Sequence, residues 1–204
     1  MPTDVVVRNR SRVLPARIEA TRVDSGGRVE GLFLEQREDG CWKTMLRSNG
    51  RLRPGLHLEL RGGPHLELLE RSGAEWILRC RESGPAATIL ARCGRTPLPP
   101  YILRARGSEE IADELDRSWY QTHYAREEGS VAAPTAGLHF TPSLSQRLVD
   151  RGISFLEVIL HVGPGTFVPV TADRLEDHPM HREEVAVERE ALAGLYQPDR
   201  TGRL

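Results

Sequence analysis

From Ala16 to about Cys80 the chain alternates apolar and polar residues in short runs, and this period of two limits that stretch to a meander of short strands. Leu56, Leu58 and Leu60 fall on one face with His57 and Glu59 on the other, and Trp42, Thr44 and Leu46 repeat the pattern on a neighbouring strand. Between the runs lie Asp24-Ser25-Gly26-Gly27, Glu38-Asp39-Gly40, Ser48-Asn49-Gly50, Gly62-Gly63-Pro64 and Ser72-Gly73, the residue types that turns demand. Turn signals at roughly 8–12-residue intervals predict a small antiparallel barrel or sandwich. Such a barrel serves elsewhere as a platform for RNA or as support for a second domain.

The pattern breaks at Gly94 to Pro100, where Pro97, Pro99 and Pro100 remove backbone donors and force extended geometry on their predecessors. A domain boundary is expected there. Beyond it the apolar period lengthens. Ile111, Leu115 and Trp119 recur at helical spacing behind Ser108-Glu109-Glu110, an acidic first turn. Thr141 followed by Pro142 predicts a capped helix start, Leu144 and Leu148 share its face, and Gly152 closes it. Ile153 to Val162 is almost continuously apolar, as in a strand buried on both faces of an α/β layer. Glu188 to Leu195 begins one more helix, so the second half reads as α/β.

Length and composition set outer limits. The 204 residues suffice for one or two domains, and 39% hydrophobic with 28% charged residues is the balance of a folded globular chain. A formal charge of -1 gives no global basic field, although Lys43 is the only lysine among 28 basic residues and local arginine patches stay open. Cys41, Cys80 and Cys93, odd in number and without a close pair, argue against a disulfide framework and a cysteine zinc site and point to a reducing cytosol. No apolar run reaches the ~20 residues of a membrane helix.

Four of the seven histidines, His139, His161, His178 and His181, gather in one stretch of the second half. His139 ends the small-residue loop Ala133-Pro134-Thr135-Ala136-Gly137-Leu138, which admits close approach of a ligand to the backbone. His161 ends the apolar strand and leads into Val162-Gly163-Pro164-Gly165-Thr166-Phe167, where α/β folds collect their ligand sites; a turn histidine held by backbone carbonyls fits the same pattern. His178, His181, Glu183 and Glu184 are residue types of catalytic metal sites, and equally of general acid–base pairs without a metal.

Read together, Tyr120-Gln121-Thr122 with Tyr124-Ala125-Arg126, Gly129 to Phe140, Leu160 to Val170 and His178-Pro179-Met180-His181 resemble the ordered signature of the S-adenosylmethionine:tRNA ribosyltransferase-isomerase family, QueA. Arg12 to Arg17 and Pro97 to Ile102 are similar to it as well. The resemblance implies an α/β plus β fold: a partial α/β barrel-like large domain interrupted by a small antiparallel β-barrel domain. On this expectation residues 1–15 open the large domain, 16–97 form the small barrel, and 98–204 form an incomplete catalytic α/β domain.

The implied reaction transfers and isomerises the ribosyl moiety of S-adenosylmethionine onto 7-aminomethyl-7-deazaguanine at the tRNA wobble position. Epoxyqueuosine forms, and adenine and methionine leave. From the resemblance, His139, His161, His181 and Glu183 are expected as acid–base groups, and Pro134, Thr135, Ala136, Gly137, Gly163, Gly165, Thr166 and Phe167 as the lining of the cosubstrate site. Arg104, Arg106 and Arg126 are expected at tRNA phosphates. No metal or permanently bound cofactor is expected, and the protein is expected to be a cytoplasmic monomer. Arg10, where the family usually has an acid, Val168, often arginine, and Glu184, often aromatic, depart from the pattern. Relative to the family the chain reads as truncated at both ends. Two other readings are a catalytically inactive tRNA-binding fragment and a His/Glu metal-dependent hydrolase.

Overall fold

The structure, a computed structural model, describes residues 3–107, 112–167, 172–177 and 182–195. In chain order the elements begin with strands β1 (Val5–Asn9), β2 (Ser11–Val13), β3 (Arg17–Arg22), β4 (Arg28–Gln36), β5 (Trp42–Ser48), β6 (His57–Leu60), β7 (His65–Ser72) and β8 (Glu75–Cys80). Helices α1 (Ala86–Cys93), α2 (Pro100–Arg106) and α3 (Asp113–Trp119) follow, then β9 (Glu127–Ser130), α4 (Pro142–Val149), β10 (Ser154–His161), β11 (Glu184–Ala186) and α5 (Arg189–Leu195). Two compact units result, one of Val13–Arg117 and one of Met1–Arg12 with Ser118–Leu204. No helix among the described residues is long and apolar enough to cross a membrane.

The expected meander closes on itself as a six-stranded antiparallel barrel in the order β3-β4-β5-β8-β7-β6. Alternation explains its core. Leu56, Leu58 and Leu60 are buried from one side of the loop into β6, Trp42 and Thr44 from β5, and Leu66 and Leu68 from β7. Each such apolar side chain withdrawn from water stabilises by about 1.5–3 kcal/mol. Phe33 meets the Trp42 ring edge-on at 5.3 Å, and the hydroxyl of Thr44, the one polar side chain in this row, donates to the Trp76 carbonyl at 3.3 Å. Closure also removes the exposed edges that make an open sheet of short strands prone to association.

The barrel's unit extends past the proline run to Arg117. A polar clamp explains why. The Asp113 carboxylate accepts from the Thr96 backbone N–H at 2.8 Å and from Arg117 Nε at 2.5 Å. Arg117 also donates to the carbonyls of Ala91 and Gly94 at the end of α1. Burial pushes the Asp113 carboxyl up, but the Thr96 amide and Arg117 outweigh it and hold the group below the usual carboxylate range. A depressed folded-state value means that the stabilisation is present above the unfolded value near 3.9 and is lost as pH falls through the lower folded value. Asp113→Asn is therefore expected to cost about 1–2 kcal/mol at pH 7, with the gap to wild type closing in acid. Urea unfolding at pH 7 and at low pH checks this, and a gap independent of pH would refute it.

The other unit is built on β10, which pairs in parallel with β1 (Val5 opposite Ser154, Asn9 opposite Val158) and antiparallel with β11 (Leu160 opposite Val185, His161 opposite Glu184). The strand lies where the apolar run predicts it, yet only Leu156 is buried and its neighbours are half-buried. The helix before it starts as expected: Thr141 Oγ1 accepts from the Leu144 N–H at 3.1 Å, Pro142 fills the first position, and Gly152 takes φ 80° beyond the end. In the helix expected around Leu115 and Trp119, α3, both side chains are exposed. Ile111 and Ser108 to Glu110 lie outside the described residues.

Candidate functional site

The carboxyl end of β10 is held by side chains that replace strand pairing once β1 ends. Asn9, the last residue of β1, donates from Nδ2 to the Leu160 carbonyl at 2.8 Å, and its Oδ1 accepts from the N–H groups of Leu160 and Ser11, both at 3.0 Å. The Ser130 hydroxyl is fully buried, lies 2.7 Å from the Ser11 hydroxyl and accepts from the Val162 N–H at 3.0 Å. The Val131 N–H then donates to the Val162 carbonyl. Leu160 and Val162 are thus bonded on both sides of His161. Asn9→Ala would strand three backbone groups and is expected to cost about 2–3 kcal/mol. Faster amide exchange at Leu160 would accompany the loss, and unchanged protection there would rule out this role.

His161 sits between those anchors. A Cβ added at Gly129 would lie 2.5 Å from Cε1, 2.6 Å from Nδ1 and 3.0 Å from Nε2, so the imidazole is laid against a residue that must be glycine. Gly129 also has φ 149°, a conformation side chains disfavour. The His161 Nδ1 is buried and has no hydrogen-bond partner among the described residues. Buried polar nitrogens are nearly always bonded, and an orphan of this kind is explained by local strain, a bound water or ion, or a catalytic role. Across the antiparallel pair, His161 faces Glu184, so a carboxylate side chain is its direct cross-strand neighbour.

Two residues along, the Gly163 N–H donates to Glu183 Oε1 at 2.9 Å. The structure therefore brings together His161, Gly163 and Glu183 of the residues expected at the site. Gly165 is half-buried in the 3₁₀ turn Pro164–Phe167, which also carries the backbone of Thr166 and Phe167. Pro134 precedes a second 3₁₀ turn, Thr135–His139, with Thr135, Ala136 and His139 exposed and Gly137 buried. A Cβ at Gly137 would collide with the Tyr124 hydroxyl and come within 2.8 Å of Thr122 Cγ2. That close approach accounts for a glycine in the loop without reference to any ligand. His181, with His178 and Val168, lies outside the described residues. Among the described residues no three His, Cys, Asp or Glu side chains cluster as a metal site.

The arginines expected at phosphates divide. Arg104 is exposed on α2, and Arg126 is exposed with Glu157 at 3.7 Å. Arg106 is mostly buried and forks onto Asp116 with bonds of 2.6 and 2.9 Å. A guanidinium committed to a carboxylate in this way is not free for phosphate.

Three features were not read from the sequence. Arg10 lies 2.7 Å from Glu188, 3.6 Å from Glu127 and 3.7 Å from Glu157, so the basic residue at a usually acidic position is matched by three glutamates far along the chain. Arg8 joins Glu157 at 2.5 Å and stacks over the rings of Tyr124 at 4.3 Å and Phe155 at 4.5 Å. His123 bonds the Ser145 hydroxyl at 3.0 Å and meets Tyr124 edge-on, and burial, with Arg8 nearby, pushes its imidazole down. Position beside Tyr124 in a resembling segment was the one signal that could have flagged His123.

A family profile described as "Queuosine biosynthesis protein" matches residues 1–203. The S-adenosylmethionine:tRNA ribosyltransferase-isomerase of Rubrobacter xylanophilus is 45% identical over 200 residues, which are 98% of this chain and 56% of that protein. The protein of the same name from Trichlorobacter lovleyi is 42% identical over 195 residues, 95% of this chain and 55% of its own length. A crystal structure of the S-adenosylmethionine tRNA ribosyltransferase from Thermotoga maritima is 25% identical, with a TM-score of 0.30 over 95% of this chain and 47% of that one. The chain spans little more than half the length of the curated relatives it matches.

Proposed function

This chain belongs to the queuosine biosynthesis protein family, and from that membership we propose that it acts in transfer of the ribosyl group of S-adenosylmethionine to a deazaguanine at the tRNA wobble position. The observation that supports the reading most is the His161 cradle: a buried, unbonded Nδ1, laid on Gly129 at the end of β10 and beside carboxylates from Glu184 and, through Gly163, Glu183.

The chemistry asks for such groups. The sulfonium of the cosubstrate acidifies the adjacent ribose C5′ protons, so a base within reach can remove one. Departure of adenine and attack by the deazaguanine's amine then require a proton to be supplied and another accepted. On this reading His161 and Glu183, with His139 and His181, share the acid and base roles, and Pro134 to Gly137 with Gly163 to Phe167 line the cosubstrate site. A half-buried imidazole flanked by carboxylates has the groups that acid–base work requires. Arg104 and Arg126 serve tRNA phosphates, whereas Arg106 holds α2 to α3 through Asp116.

Adenine release from S-adenosylmethionine, with tRNA carrying the aminomethyl-deazaguanine at its wobble position, tests the reading. Release that depends on the modified base is expected. A folded chain that binds both substrates and releases no adenine would remove the catalytic reading and leave a tRNA-binding fragment of the same family.

A further inference from the structure

One end of the barrel carries an open cleft of about 550 Å³ among β5, the loop from Arg51 to Pro54 and the β7–β8 hairpin. Arg47, Arg51, Arg53 and Arg71 line it, over a floor that includes Leu52 and Trp76. All four guanidinium side chains belong to exposed residues, and none forms a salt bridge among the described residues, Arg53 acting on Asp24 only from a longer range. Arg81 and Arg104 are exposed without a salt bridge among the described residues as well, but neither lines the cleft. Arg28, Arg61, Arg79 and Arg92 are exposed too, yet each is paired, to Glu30, Glu19, Glu67 and Glu82.

The surroundings keep the four unpaired. Glu30 stands opposite Arg47 in the β4–β5 register, but its carboxylate is taken by Arg17 and Arg28, both at 3.4 Å. Asp24 borders the adjoining cleft shared with Arg53, and it is bound by Arg22 at 3.1 and 3.2 Å. Arg71 has two contacts that hold its side chain. Its Nε donates to the Gly73 carbonyl at 3.0 Å and its guanidinium lies 5.9 Å from the centroid of the Trp76 ring, while its other N–H donors are left without a protein partner among the described residues at a residue that lines the cleft. The Arg51–Pro54 loop is tied down behind it, where the Gly55 N–H donates to the Leu68 carbonyl at 2.7 Å.

Four positive charges without salt bridges around one cleft, on a chain whose net charge is -1, repel one another, and an anion with several charges among them relieves that repulsion. Arginine forks match phosphate oxygens bidentately. Trp76 is only 4% exposed and offers no face for a base to stack on, so the cleft has the means to hold a backbone and no means to read its bases. We propose that this cleft binds the phosphate backbone of an RNA strand, giving the barrel a sequence-independent contact with the tRNA. The inference rests on the proposed function for the choice of RNA among polyanions.

The test measures binding of a tRNA transcript to the 204-residue chain by fluorescence anisotropy across a range of salt concentrations. A variant carrying Arg47→Gln, Arg51→Gln, Arg53→Gln and Arg71→Gln is compared with one carrying the same change at Arg28, Arg61, Arg79 and Arg92, which removes the same charge from paired positions. The cleft variant is expected to bind at least about tenfold more weakly near 0.1 M salt and to lose about three from the slope of log affinity against log salt; the paired-position variant should stay close to wild type. Arg51→Gln and Arg53→Gln singly, each lowering the slope by about one, keep the test open if the fourfold variant folds poorly. Equal weakening in both fourfold variants, no weakening in either, or no tRNA binding by wild type overturns the proposal. Wild type that binds tRNA through the cleft but releases no adenine supports the cleft and removes the catalytic reading alone.

Discussion

Gly94→Ala is expected to destabilise the barrel unit by more than about 4 kcal/mol, a loss seen only where a substitution meets something that does not yield. Gly94 follows α1, and its N–H donates to the Leu90 carbonyl at 2.7 Å. A Cβ built there would fall inside the contact shell of the Pro15 carbonyl oxygen, with Leu90 O at 2.9 Å and the Pro15 carbonyl carbon at 3.0 Å. All three atoms are backbone, so no rotamer change relieves the clash. Its φ of -81° is ordinary, which makes the requirement one of space and not of conformation. Relief would mean parting Pro15 from α1. That in turn strains the paired bonds between Arg17 and Arg95, N–H to carbonyl in each direction at 2.9 and 3.0 Å, which fasten the start of β3. Denaturant unfolding followed by Trp fluorescence reads the effect, since Trp42 and Trp76 are buried in the barrel. A loss below about 1 kcal/mol would show that the close approach of Pro15 to Gly94 contributes nothing to the fold.

His161→Ala is expected to lower the single-turnover rate of adenine release by about 10²–10⁴, the range that a positioned acid or base contributes. Binding of tRNA should be unchanged, since no described contact of His161 involves Arg104 or Arg126, the residues proposed at phosphates. Gly129→Ala makes a stricter companion, because it leaves the imidazole in the chain and moves it. The added methyl would sit 2.5–3.0 Å from three ring atoms, and the ring must turn away. A comparable fall in rate for Gly129→Ala, with the chain still folded, would tie activity to the placement of the ring. Full activity in both variants would eliminate His161 as an acid–base group. Loss of folding in Gly129→Ala alone would make the glycine a packing requirement, with His161→Ala left to decide the chemistry.

Much of the local structure was legible in the residues. Alternation picked out the leucines of β6 and the Trp42 and Thr44 row because a strand's two faces meet different solvents whatever its partners are. Thr141, Pro142 and Gly152 marked a helix because capping is a contract among residues within a few positions of each other. The candidate residues come from a resemblance in ordered segments; in the structure His161, the last residue of β10, is paired with Glu184, and just beyond it the Gly163 N–H donates to Glu183. The boundary near Pro97 to Pro100 followed a real break in pattern. The clamp of Asp113 and Arg117, formed by side chains across that break, carries the barrel's unit on to Arg117.

By itself, then, the sequence determined the strand meander, the capped helix, the apolar strand ending at His161 and the family. Those features rest on periodicity, capping and contiguous motifs, all properties of neighbours in the chain. Tertiary structure alone decided that β5 pairs with β8 and β3 with β6, that β1 lies parallel to a strand beginning at Ser154, and that Arg10 meets Glu127, Glu157 and Glu188. It also decided which arginines are neutralised and which four are left facing one cleft. Pairing register and charge compensation depend on groups brought close in space from distant parts of the chain, and no window along the sequence contains both members of such a pair.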